Sequence, residues 1–395
     1  MKYPDSDRLL ETAIHAWRNR LPAPPPVSLR LDRPWSESGA PADLHLDYQC
    51  RGNPEDPDLT FTVDGVTFGL QDPVALEAVP IAKPWGQEIW YTGIEARGES
   101  RVVGAGGTVS LAHYLAAAPD ALCRRQAIVL LKVLDPRPEP VLGELYFEVH
   151  EEKREVYVVS HVDAGAWPEG QGAIRFGMDQ RRREAMGDEA FRAAFLDAVA
   201  RYERLRDQVD AGSRELGEEE AAARDAVHAF TALRPLRVGD VVVVPTWTPH
   251  ALLHGVRVVE FQTPTYERHI ISFGQKVLTQ AHWDSALAIS RMQLEPPEPA
   301  QFEPITPGVS RIARFPDFGV WRAAVEPGGR LQLPADLPYA LCLCVDGEIE
   351  LAGRTGSLNL TREKAAFIPH RALTAAVANA SGTHPAIVLI AAPGL

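Results

Sequence analysis

The chain has 395 residues, with 53 acidic against 40 basic side chains and a formal charge of −13 at neutral pH. That balance excludes a nucleic-acid partner as the first expectation, because phosphate backbones recruit basic surfaces, and the length allows two or three domains with cores of their own. The charged start MKYPDSDRLLETAIHAWRNR lacks the apolar centre of a secretory signal, and no run reaches the ~18 apolar residues of a membrane span, so the expectation is a cytoplasmic protein with no membrane partner; oligomeric state stays open.

In chain order, Ser6 is placed to cap a helix whose apolar face is Leu10, Ala13, Ile14 and Trp17, and LPAPPP ends it. Residues 43–50 alternate, with Leu44, Leu46 and Tyr48 on one face, and Cys50 closes the run. Residues 59–70 predict a hairpin about Asp64-Gly65. Further strands are predicted at 89–92, 127–133, 145–150, 155–162 and 241–244. Between 179 and 233 the period changes: Phe191, Phe195, Val199, Tyr202, Leu205 and Val209 recur every three or four residues, and a second helix carries Ala222, Ala226, Val227 and Phe230 beyond Gly212-Ser213. The charged face, RRREAMGDE included, reads as solvated. A short helix at 283–289 leads to PPEPAQFEPITPG, which reads as a linker. Strands are then expected at 320–325, 339–345, 347–351 and 386–392. Cys50, Cys123, Cys342 and Cys344 lack zinc-finger or redox spacing and read as buried small hydrophobes of a reducing compartment.

Two segments carry the chemistry. In Gly143-Glu-Leu-Tyr-Phe-Glu-Val-His-Glu-Glu-Lys-Arg-Glu155, the side chains of Glu148 and His150 emerge on one face of a strand, and Glu155 follows across a short polar turn. In Gly239-Asp-Val-Val-Val-Val-Pro-Thr-Trp-Thr-Pro-His250, an imidazole follows a hydrophobic strand and a Pro-rich turn. Two carboxylates and two imidazoles suit one divalent metal, whether zinc, manganese, iron or nickel. His113, His161, His228, His269 and His384 have no ligand-spaced partner and are left unassigned.

This spacing resembles the two signature motifs of the cupin superfamily, with three departures: Glu148 stands at the usual first histidine, Trp247 at the glycine after the proline, and His254 at the asparagine four residues past the last ligand. Over residues 81–290 the order of features is similar to class I phosphomannose isomerase. Lys83-Pro-Trp-Gly86 matches its early Trp-Gly segment, and Leu131-Lys-Val-Leu134 its lysine-bearing strand. Glu148-Val-His150 stands where that family has Gln-x-His, Glu155 at its ligand glutamate, and Pro249-His-Ala-Leu252 at its last histidine. Tyr266-Glu-Arg268 is similar to its Tyr-Arg segment, with one residue inserted.

The resemblance implies a mainly β fold, two cupin (jelly-roll) barrels with a helical insertion; the N-terminal α/β extension is read from the sequence and is not something that family requires. Residues 1–80 would be the extension, a helix plus strands packing on the barrels. Residues 81–272 would be the metal barrel with its insertion at 179–233, and 273–395 a linker and a second barrel. That second barrel is expected to lack ligands, because His370 directly follows Pro369. The implied activity interconverts mannose 6-phosphate and fructose 6-phosphate, with zinc the usual metal. Lys132, set in the apolar run Ile128-Val-Leu-Leu-Lys-Val-Leu134, would be a desolvated base or a phosphate contact, and Arg268 would bind phosphate or sit near the reacting carbons. An ionised Glu148 makes the metal site less positive than a glutamine would, and Glu151 replaces the family's proline after the metal-site histidine. The expected partner is therefore a small sugar or sugar phosphate, its phosphate left open. A metal-dependent cupin oxygenase and a non-catalytic sugar-binding barrel fit the same residues.

Overall fold

Asp64 and Gly65 take φ of 49° and 83°, the handedness a two-residue hairpin needs, and so set Phe61 opposite Phe68 and Val63 opposite Val66. The computed structural model describes residues 5–32, 41–95, 98–373, 376–379 and 383–394. Strand Val27–Leu31, Ala42–Asn53 and the hairpin strands Asp56–Val63 and Val66–Gly69 form a four-stranded antiparallel sheet. The helix Ser6–Arg18 buries Leu10, Ala13 and Ala16. Ser6 is not its cap: Asp5 holds that position, and the Ser6 hydroxyl donates to the Ala116 carbonyl at 2.6 Å. Trp17, expected on the buried face, is 37% exposed.

Two units divide the chain, one of Met1–Val79, Trp90–Leu131 and Gln301–Leu395, the other of Pro80–Ile89 and Lys132–Ala300. This differs from consecutive divisions at 80/81 and 272/273, because pairing ignores chain order: Val74–Glu77 lies beside Ala365–Pro369, with Leu76 opposite Ala365. In the first unit a nine-stranded sheet faces a four-stranded one, and Cys342, Cys344, Ile368, Val388 and Ile390 of the larger share a core with Ile349, Leu351, Leu360 and Val377 of the smaller. The stretch expected as a linker includes an edge strand, Glu303–Thr306, turned onto Val309–Arg314 through Gly308 at φ 78°. Two short helices, Leu111–Ala117 and Pro119–Cys123, have no counterpart among the expected elements.

The second unit also packs two antiparallel sheets. In spatial order the six-stranded sheet is Val241–Val244, Glu155–Val162, Val256–Gln262, Leu130–Pro136, Gly86–Trp90 and Val79–Lys83. The five-stranded sheet is Thr231–Leu236, Gly172–Met178, His250–Leu252, Phe147–Val149 and His269–Ser272. Tyr157, Val159, Val242 and Val258 of the first meet Ile174, Phe176, Leu252 and Ile270 of the second in one core. Residues 179–233 supply the helices Gln180–Met186, Asp188–Asp210 and Glu218–His228. Phe191, Phe195, Val199, Tyr202 and Leu205 pack against Phe147, Val149, Ala251 and Ile271, so the helices cover the outer face of the five-stranded sheet. In Glu218–His228 the buried face runs through Ala223 and Val227 and not through Ala222 and Ala226. No helix among the described residues is long and apolar enough to cross a membrane.

Candidate metal centre

Strand alternation decides what faces inward. Phe147 and Val149 are held by the helical layer, so Glu148 between them turns to the barrel interior, and His150 follows on the same side. Ala251 likewise packs on the helices, which sends His250 inward, and pairing sets Glu148 directly opposite His250. Ligand atoms of Glu148, His150 and His250 lie within 4.8 Å of one another. Glu155 starts a strand of the opposing sheet and lies outside that group of three. Its carboxylate is nonetheless 3.5 Å from His150 Nε2 and 3.2 Å from His250 Nε2. Lys153 Nζ stands 2.5 Å from its Oε1, and Tyr157 donates to its Oε2 at 2.5 Å, so both oxygens also have partners outside the expected fourfold set.

Both motif glycines have a physical reason. A Cβ at Gly143 would lie 1.9 Å from the Arg137 carbonyl oxygen, and Gly239 has φ 92°. Trp247 keeps the left-handed backbone at φ 59°, a conformation that costs a bulky residue about 1–2 kcal/mol. Its ring lies parallel to that of His269, 3° apart with centroids at 5.6 Å, and the Arg291 guanidinium sits 5.5 Å over it. These contacts offset the strain. His254 stacks on Trp167 at 4.8 Å and takes no part in the group of three.

The electrostatics fit a cation. Burial and the neighbouring Lys153 push His150 well below the ordinary imidazole range, which keeps it neutral as a ligand must be. Both of its ring nitrogens and Glu148 Oε2 are buried without a hydrogen-bond partner among the described residues. Such groups cost about 1–3 kcal/mol each when left unsatisfied, and a bound metal would satisfy them. His250 Nδ1 lies 2.9 Å from the Thr248 carbonyl, an arrangement that presents Nε2 to the interior. Burial lowers the His250 pKa, but the hydrogen bond and charge of Glu155 at Nε2 outweigh it and raise it. Burial also pushes Glu155 up; the Lys153 ammonium leads the contacts that more than reverse this and hold it ionised.

Lys132 is buried 3.2 Å from Glu260 Oε2 and 3.6 Å from Glu88 Oε2. Burial lowers its pKa, yet these carboxylates outweigh burial and keep it an ammonium, so it is a cation here and not the desolvated base the sequence allowed. Burial pushes the Glu260 carboxyl up, and the Lys132 ammonium beside it acts the other way. Lys83 joins from the other side, 3.4 Å from Glu88 Oε1. Neither Glu88 nor Glu260 was singled out from sequence; each sits among other polar residues on its strand, in Gly86-Gln-Glu-Ile-Trp90 and Val256-Arg-Val-Val-Glu-Phe-Gln262, with nothing local to mark it. Arg268 is stacked 4.2 Å over Tyr146 and donates to Thr279 at 2.8 Å. Burial lowers its pKa, but Glu148 leads the charges that raise it.

No protein-family model matches the chain, and no curated protein does. Solved structures do. The mannose 6-phosphate isomerase from Bacillus subtilis is 14% identical, with 81% of this chain and 99% of that one covered at a TM-score of 0.59. A zinc-bound mannose 6-phosphate isomerase is also 14% identical, covering 82% of this chain and 100% of its own at 0.63. The apo form from Salmonella typhimurium is 13% identical, with 82% and 100% covered at 0.61. The likeness at this identity is one of fold: mainly β, cupin-like, with helices.

Proposed function

We propose that the chain is a metal-dependent aldose–ketose isomerase acting on a sugar or sugar phosphate, with Glu148, His150, His250 and Glu155 holding one divalent metal. Zinc is the first choice, with manganese, iron and nickel as alternatives. The observation that carries the reading is the interior group of Glu148, His150 and His250 in the same barrel as the buried Lys132–Glu260 pair.

The reaction moves one proton between adjacent carbons, through an enediol, and one between their oxygens. A metal bound at the site supplies Lewis acidity, which stabilises negative charge on a substrate oxygen. Lys132, held as an ammonium, donates to the oxygen that gains charge. Glu260, whose carboxyl lies 3.2 Å from Lys132 Nζ, is our candidate to carry the carbon-bound proton. Arg268, flanked by Tyr146, presents positive charge to a phosphate or to the carbonyl end of the sugar. Burial of the imidazoles keeps bulk water from competing for these contacts.

The test is to load the protein with each metal in turn and follow mannose 6-phosphate, fructose 6-phosphate and the free aldoses in heavy water by NMR. Product and deuterium at the reacting carbon are expected with wild type and absent in His150→Ala. Metal-loaded wild type that neither isomerises nor exchanges would overturn the reading, and oxygen consumption by the iron form would move it to the oxygenases.

A further inference from the structure

We infer that Glu267, the residue inserted between Tyr266 and Arg268, is a positioning residue that fixes the turn joining the candidate ligands His150 and Glu155. The inference rests on the metal reading above. The turn, residues 151–154, links His150 to Glu155, and neither a helix nor a sheet ladder takes up its N–H groups. Glu267 takes three of the four: Glu151 N donates to Oε1 at 2.9 Å, while Glu152 N and Lys153 N donate to Oε2 at 3.0 and 3.4 Å. The fourth, Arg154 N, donates to Thr263 Oγ1 at 3.1 Å, and Thr263 N returns a bond to the Arg154 carbonyl at 3.0 Å. All four donors therefore end on one neighbouring loop.

Successive N–H groups around a carboxylate form an anion nest, and bonds to an ionised acceptor are roughly twice as strong as neutral ones. Glu267 is itself held. His269 Nε2 stands 3.3 Å from its Oε1, and that imidazole lies flat on Trp247, whose backbone N–H donates to the His150 carbonyl at 2.7 Å. The loop thus grips the turn at Glu267, while Trp247, in the turn before His250, holds the His150 backbone. Shortening or removing the Glu267 carboxylate frees the spacing between His150 and Glu155, and it also frees Lys153, whose ammonium sits on Glu155. Glu267 touches no ligand atom among these contacts; it acts through the backbone between them.

Zinc affinity is to be measured by competition with a chromophoric chelator, alongside the visible spectrum of the cobalt-loaded protein and amide exchange at 151–153. Glu267→Ala is expected to bind zinc about ten- to a hundredfold more weakly, to change the cobalt spectrum and to exchange these amides faster. The metal-free protein should melt within about 3 °C of wild type. Glu267→Gln, which keeps one acceptor oxygen, should fall between. Wild-type affinity in Glu267→Ala overturns the inference, and so does a loss matched by a large drop in metal-free melting, which would be general destabilisation. If wild type binds zinc no better than His150→Ala, the metal reading fails instead, and exchange at 151–153 still decides whether Glu267 fixes the turn.

Discussion

Glu148 stands 3.6 Å from His150 Nε2 and opposite His250, so its charge would be felt by any substrate oxygen approaching a metal held in the proposed site. Glu148→Gln removes one negative charge and keeps an oxygen ligand. The expected outcome is a protein that still binds metal and whose turnover shifts toward phosphorylated over free aldoses; the measurement is the ratio of kcat/KM for the two. An unchanged ratio would show that charge at this position does not govern substrate choice. The positions of Glu148, His150 and His250 were legible because strand alternation and a fixed motif spacing both act locally. The orientation of Glu155 was not, since Lys153 and Tyr157 compete for its oxygens. Glu88 and Glu260 meet through Lys132 from three strands far apart in sequence, so no local pattern announces them.

At the scale of elements, the helix Asp188–Asp210 shows how a period of 3.6 translates into function. Its buried stripe backs the strands that carry Glu148 and His250, and Phe195 lies near its middle, fully buried and edge-on to Phe147 with ring centroids at 6.5 Å. Phe195→Ala is expected to destabilise the protein by about 3–5 kcal/mol. Chemical denaturation measures it, and a loss below about 1 kcal/mol would mean that the helix contributes little to holding the sheet. The hairpin and the long helices were legible because turn chemistry and periodicity are local signals. The edge strand Glu303–Thr306 was hidden by Pro304, which an edge tolerates because one side of the strand needs no donors.

For the molecule as a whole, the metal reading concerns one unit alone. Zinc at about a hundred times its dissociation constant stabilises the state that binds it by about 2.7 kcal/mol. Hydrogen exchange with and without zinc should show slowing in peptides from 132–300; protection confined to 301–394 would place the metal elsewhere. Which stretches form each unit was not legible, because the pairing of Val74–Glu77 with Ala365–Pro369 spans most of the chain and leaves no short-range trace. That pairing has a consequence for birth on the ribosome. The strand Ala386–Pro393 lies inside the nine-stranded sheet, between Tyr339–Asp346 and Phe318–Val325. Strand Val74–Glu77 must therefore wait, unpaired on that side, while the entire stretch that holds the candidate metal centre is translated. Lys132–Ala300 emerges as one continuous stretch and meets most of its partners early, so the segment with the chemistry is free to fold first and the segments flanking it close last.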